Sequence, residues 1–188
     1  MNVIPTRIPD VLILEPRVFR DARGCFFESW SLRDFEAAVG PVRFVQDNES
    51  HSVYGVVRGL HYQKGAASQA KLIRVVRGEV LDVAVDLRRG SPTFGEVAFC
   101  TLSAGNHRQL FIPRGFAHGF SVLSDEVVFL YKCDNYYDPS AEAGIIWNDP
   151  DLAIDWGLPA EAVILSGKDQ KHPRLKDADG LFDYHVIY

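Results

Sequence analysis

Residues 71–87 read KLIRVVRGEVLDVAVDL, two β-branched runs broken by Arg77 and Gly78. In the second run Leu81, Val83, Val85 and Leu87 alternate with Asp82, Ala84 and Asp86, and in an extended strand those two sets point to opposite faces. A period of two bounded by a glycine break predicts strands on both sides of the break, not a helix.

The same texture continues outward. Between Phe44 and Cys133 the runs FVQDN, GVVRGLHYQ, EVAFCTL, QLFIP, HGFSVL and VVFLYKC recur, separated by KGAAS, RRGSP, SAGN, PRG and LSDE. Many short β-branched and aromatic runs with Gly and Pro turns specify a closed or sandwiched β-fold. A jelly-roll barrel fits the strand count, whereas an immunoglobulin-type sandwich would need a Cys and Trp spacing that is missing. In VVFLYKC the alternation groups Val127, Phe129, Tyr131 and Cys133 and leaves Lys132 opposite, which points Tyr131 inward.

The flanks read differently. In SLRDFEAAVG, Ser31 is an N-cap with Asp34 three residues on, Leu32, Phe35 and Val39 form the apolar side, and Gly40 is the stop. One short helix on the outside of the barrel follows. After Tyr136 the prolines at 139, 150, 159 and 173 and several acidic turns predict an extended flap with short helices. The expected organisation is a single domain over residues 1–188, with a barrel core at about 44–133 and a C-terminal flap at about 136–188.

A chain of 188 residues, 47% of them apolar, can bury one sizeable core. A formal net charge of -5, with no basic run interleaved with aromatics, leaves no electrostatic footprint for nucleic acid. The opening MNVIPTRIPDVLILEP breaks its short apolar patch with Pro and Asp, so neither a signal peptide nor a membrane span is expected, and a soluble cytoplasmic protein is. Cys25, Cys100 and Cys133 are odd in number and form no C-x-x-C pair, which argues against a disulfide framework or a thiolate zinc site. They are expected to be reduced packing residues.

VVRGLHYQ, residues 56–63, places an arginine and a histidine in an otherwise buried strand. Arg58 and His61 are three apart and face opposite ways unless Gly59 opens a bulge, and that bulge is predicted. Taken singly, each polar residue has an ordinary structural explanation. A strand histidine such as His61 is commonly a satisfied core group, Lys71 a solvated strand end, and Tyr131 a core ring with a bonded hydroxyl. His118, between Ala117 and Gly119, has small neighbours that leave room for a ligand or for close backbone packing.

The combination is more specific. RDARGCFFESW, FVQDNES, VVRGLHYQ, KLIRVVRGEVLDVAVDLRRGSPTFGE, LFIPRGFAHGF, FLYKCDNYYDPSAE, IIWNDPDLAIDW and LSGKD resemble, in order and spacing, the dTDP-4-dehydrorhamnose 3,5-epimerase family. The resemblance spans roughly residues 3 to 175. It implies a cupin-type jelly roll, a homodimer, no cofactor and no metal, and a dTDP-4-keto-6-deoxy sugar nucleotide as substrate. It also implies inversion at C3 and C5, where the adjacent C4 ketone turns each deprotonation into enolate formation.

Carried onto this chain, the resemblance implies His61 as base, Asp169 as the carboxylate that orients it, Tyr131 as the acid on the opposite face, and Lys71 beside the C4 oxygen. It implies substrate binding by Arg23, Glu28, Gln46, Asp47, Asn48, Arg58, His118, Glu142 and Lys168, with Lys71 contributing to both tasks. Arg23 and Arg58 suit a diphosphate because a guanidinium donates two parallel hydrogen bonds. Some of these groups are expected from the partner subunit, since the family exchanges N-terminal segments. Ala70, Arg114 and Gly157 depart from the family pattern, where Gly, Glu and Pro are usual, and inversion at one carbon only remains an open alternative.

Two rivals stand beside this reading. A metal-dependent cupin enzyme needs three or four converging His and carboxylate ligands, and His61-Tyr62-Gln63 lacks the second histidine of an H-x-H pair. A noncatalytic sugar-nucleotide binding module would keep the arginines without needing His61, Asp169 and Tyr131 together.

Overall fold

The computed structural model describes residues 1–186. The N-terminal strands are β1 (Asn2–Pro5), β2 (Leu12–Glu15), β3 (Phe19–Asp21) and β4 (Gly24–Phe26). After the helix α1 (Leu32–Ala38) come β5 (Gln46–Val53), β6 (Val57–Gln63), β7 (Lys71–Arg77), β8 (Glu79–Asp86) and β9 (Arg88–Arg89). The chain continues through β10 (Val97–Ser103), β11 (Gln109–Ile112), β12 (Phe116–Val122), β13 (Glu126–Cys133), β14 (Glu142–Gly144) and β15 (Phe182–Asp183).

The two runs around Gly78 lie in different sheets. β7 belongs to a six-stranded sheet ordered β1-β2-β11-β7-β13-β5, and β8 to a five-stranded sheet ordered β10-β8-β12-β6-β14. Gly78 carries the chain across with φ +78°, and a Cβ there would meet Glu126 O at 2.0 Å, so only glycine fits the crossing. All pairings within both sheets are antiparallel. Two facing antiparallel sheets whose sequence neighbours alternate between them make a jelly roll.

Alternation sorts the side chains into three apolar layers. Ile73, Val75, Val80, Ala84, Val127 and Phe129 meet between the sheets. Val83, Val85 and Leu87, on the other side of β8, pack under the C-terminal flap with Trp156 and Phe182. The outer side of the six-stranded sheet gives Leu72 and Phe111 to Phe35 of α1. Ser31 Oγ accepts from Asp34 N, and the helix ends before Gly40 at φ +119°, as its sequence predicts.

The flap runs through three short 3-10 turns, Ala160–Ala162, Asp169–Lys171 and Leu175–Asp177. Residues 187 and 188 of the segment expected at 136–188 lie outside the described residues. Among the described residues no helix is long and apolar enough to cross a membrane. Cys100 and Cys133 are buried free thiols, but Cys25 is exposed on the β3–β4 hairpin, which has no core to pack into. The expectation that Cys25 is a packing residue is therefore corrected.

Candidate active site

The bulge predicted at Gly59 is present. His61 opposes His118 and Arg58 opposes Phe120, so three steps along β6 match two along β12. Gly59 has φ +124°, and its Cβ would lie 2.6 Å from Gly119 Cα. This close approach lets the extra residue turn Arg58 and His61 into one cavity.

That cavity, about 360 Å³, is also lined by Lys168 and Asp169. A second, of about 370 Å³, is lined by Gln46, Asn48, Lys71, Tyr131 and Tyr137, and both share His61 and Glu142. The two form one cleft at the barrel mouth, with His61 on the five-stranded sheet and Lys71 and Tyr131 on the six-stranded sheet.

His61 Nε2 lies 2.5 Å from Asp169 Oδ1. The aspartate side chain is 4% exposed and the histidine 33%, so the carboxylate is sealed while the ring reaches the cleft. Burial alone would raise the Asp169 carboxyl, but the hydrogen bond and charge of His61 and the Ser166 hydroxyl hold it below the ordinary carboxylate range. An ionised carboxylate only accepts, so Nε2 carries the hydrogen and Nδ1 of the neutral ring is the acceptor.

Across the cleft, burial pushes the Tyr131 phenol above its usual value, with Cys133 adding and Arg58 opposing. The hydroxyl therefore stays protonated at neutral pH. Burial pushes the Lys71 ammonium down, against the pull of Cys133, Asp82 and Glu142. Glu142 accepts from Tyr137 Oη at 2.6 Å and pairs with Lys168, whose hydrogen bond holds the glutamate below its ordinary value despite burial.

Other expected positions fall elsewhere. His118 is buried behind the cleft, with Nε2 3.0 Å from Asp82 Oδ1 and its ring stacked on Phe129. Asp47 points to the outer side of the sheet and pairs with Lys132 at 2.9 Å. Arg23 sits on the exposed β3–β4 hairpin, bonded to Asp21, and Glu28 is exposed beyond it. Ala70 N and Arg114 Nε, two of the departures from the family pattern, both bond the Asp134 carboxylate at 2.7 and 2.8 Å.

Around the cleft the structure brings in groups that sequence reading did not single out. Asp82 showed only as a polar position in an alternating strand, and Tyr137 as one of two adjacent tyrosines in NYYDPS. His172 had no signal beyond its place in KDQKHPR. Its Nε2 is 3.6 Å from Asp169 Oδ1, and one ligand atom each from His61, Asp169 and His172 lie within 4.8 Å of one another.

Residues 5–177 match the sequence profile described as dTDP-4-dehydrorhamnose 3,5-epimerase. The protein of that name from Pseudomonas aeruginosa is 58% identical over 180 residues, covering 95% of this chain and 98% of the relative. A dTDP-4-dehydrorhamnose 3-epimerase from Streptomyces niveus is 40% identical over 179 residues, covering 95% and 86%. The crystal structure of dTDP-6-deoxy-D-glucose-3,5-epimerase from Legionella pneumophila in complex with dTDP-4-keto-L-rhamnose matches with a TM-score of 0.94 and 50% identity, over 98% of this chain and 99% of that one. By sequence and by its jelly-roll barrel alike, the chain belongs to the dTDP-4-dehydrorhamnose 3,5-epimerase family.

Proposed function

We propose that this chain inverts C3 and C5 of dTDP-4-dehydro-6-deoxyglucose, giving dTDP-4-dehydro-L-rhamnose, by proton transfer through an enolate. The observation that carries this reading is the placement of His61, paired to Asp169, and Tyr131 on opposite walls of one cleft. Inversion requires a proton to leave one face of the sugar and another to arrive on the opposite face. Two sheets facing each other supply one group to each face.

His61 Nδ1 takes the proton from the carbon next to the ketone, and Asp169 stabilises the imidazolium that results. Lys71 donates to the C4 oxygen as negative charge develops there. Tyr131, kept protonated by burial, delivers the new proton from the other wall. Arg58 grips the diphosphate, and Gln46, Asn48, Glu142 and Lys168 hold the remaining polar groups of the substrate.

Arg23 serves a second subunit in this reading. The hairpin that carries it exposes Phe19 and Phe26, at 51% and 69%, outside the cleft of its own chain. A homodimer that exchanges these hairpins buries those rings and brings Arg23 to the partner's diphosphate. Mixed dimers of Arg23→Ala and His61→Ala should regain activity that neither variant has alone; no recovery would remove the exchange.

The test of function is incubation with dTDP-4-dehydro-6-deoxyglucose in deuterium oxide, with C3 and C5 followed by proton NMR. Loss of both signals with inverted product is expected. Loss at one carbon alone would make the chain a single-site epimerase, and binding without exchange would make it a binding module.

A further inference from the structure

We propose that His61, Asp169 and His172 form an inhibitory site for a borderline transition-metal ion such as Zn²⁺, which shuts off the base when bound. The inference rests on the reading of His61 as that base. Its first support is composition: two imidazoles and a carboxylate are the nitrogen and oxygen donors zinc prefers, and they offer atoms within 4.8 Å of one another. Ligands of a tetrahedral zinc ion at about 2.0–2.1 Å stand roughly 3.3 Å apart. Asp169 and His172 are already at 3.6 Å, and the 2.5 Å bond between His61 and Asp169 must open to admit the ion.

The second support is independent. Among the described residues, the buried His172 Nε2 has no hydrogen-bond partner, although buried polar atoms are normally satisfied. Its ring is held in place: a Cβ on Gly144 would lie 2.6 Å from it, and it meets the His61 ring edge to face at 5.7 Å.

Inhibition follows from the tautomer. Coordination uses the lone pair of His61 Nε2, so the hydrogen held there moves to Nδ1 through solvent, with no net change in protons. Nδ1 then bears a hydrogen and cannot accept one from the sugar. The carboxylate is simultaneously drawn from its role as partner of the imidazolium to that of metal ligand.

The experiment titrates metal-free enzyme with zinc chloride, reading affinity by calorimetry and deuterium exchange in parallel. One zinc per subunit is expected, with exchange lost in proportion to occupancy and restored by a chelator. Loss of an outer-shell partner costs about 10–100-fold in metal affinity, so His172→Gln and His172→Ala should weaken zinc by at least ~10-fold, with the exchange of each variant before metal addition taken as its own reference. His61→Ala, which leaves the packing of His172 on Gly144 intact, should weaken zinc comparably. Unchanged zinc affinity in the His172 variants or in His61→Ala, or full occupancy without loss of exchange, overturns the proposal. Absence of exchange before any metal is added would instead remove the functional reading, and calorimetry would still decide the zinc site.

Discussion

His61 and His118 oppose each other across β6 and β12, and each is bonded to an aspartate, yet the two pairs sit in different surroundings. His61 is 33% exposed and meets an aspartate carried in by the flap. His118 is 8% exposed and meets Asp82, which is fully buried on the same sheet. Burial raises both carboxyls, and the hydrogen bonds outweigh it in one pair only. Asp169 is held below the ordinary carboxylate range by His61 and Ser166, whereas burial pushes Asp82 above it and His118 below the usual imidazole value. One pair keeps a charged carboxylate behind a ring that reaches the cleft. The other is driven toward neutrality and ties two strands together, so only the first pair leaves one side of its ring open to the cleft.

The sharpest way to break that contrast is to remove each histidine in turn. His61→Ala should lower deuterium exchange by about 10²–10⁴-fold, the range of a general base, with an unfolding midpoint near that of the wild type. His118→Ala should instead cost roughly 1–3 kcal/mol of stability, measured by urea unfolding, because Asp82 loses its hydrogen-bond partner in the core. A His118 variant of full stability that has lost exchange would move that pair into the reaction.

Asp169→Asn should slow exchange by less than removal of His61, since the ring remains but loses its charged partner. An Asp169 variant as slow as His61→Ala would make the carboxylate itself the proton acceptor. Tyr131→Phe keeps the packed ring and removes only the hydroxyl. His61 can still take a proton and return deuterium to the same face, so exchange should exceed inversion, a ratio read from NMR of substrate and product. Equal loss of both would assign Tyr131 to enolate stabilisation instead.

The smallest effect lies in the acid dependence of stability. The folded pKa of His172 is lowered, chiefly by burial, so the unfolded chain protonates first. Its contribution is full above the ordinary value near 6.5 and is lost as pH falls below it. The drop in Tm between about pH 7 and pH 5 should therefore be smaller in His172→Gln than in the wild type. An equal drop would mean that this ring is charged in the fold.

Local patterns were legible because their physics is local. The alternation in EVLDVAVDL, the Ser31 cap, the bulge at Gly59 and the inward face of Tyr131 follow from side-chain period, capping and glycine freedom within a few residues. The chemistry proposed for His61, Lys71, Tyr131 and Asp169 rests on their order among eight matching segments. What no local pattern contains is partnership at long range. Gly78 reads only as a break between two strands, and the chain crosses there between sheets because β8 finds β10 and β12 instead of β7. Asp169 reaches His61 across 108 residues, and His172 arrives on the same turn to leave its Nε2 facing the carboxylate. Those contacts depend on how the flap packs over Val83, Val85 and Leu87, an apolar surface that exists only once the sheets have formed. Alternation, caps and the bulge were determined by the sequence alone; the pairing of His61 with Asp169, and the sealing of His118, were decided by tertiary packing, since burial and distance belong to the assembled chain.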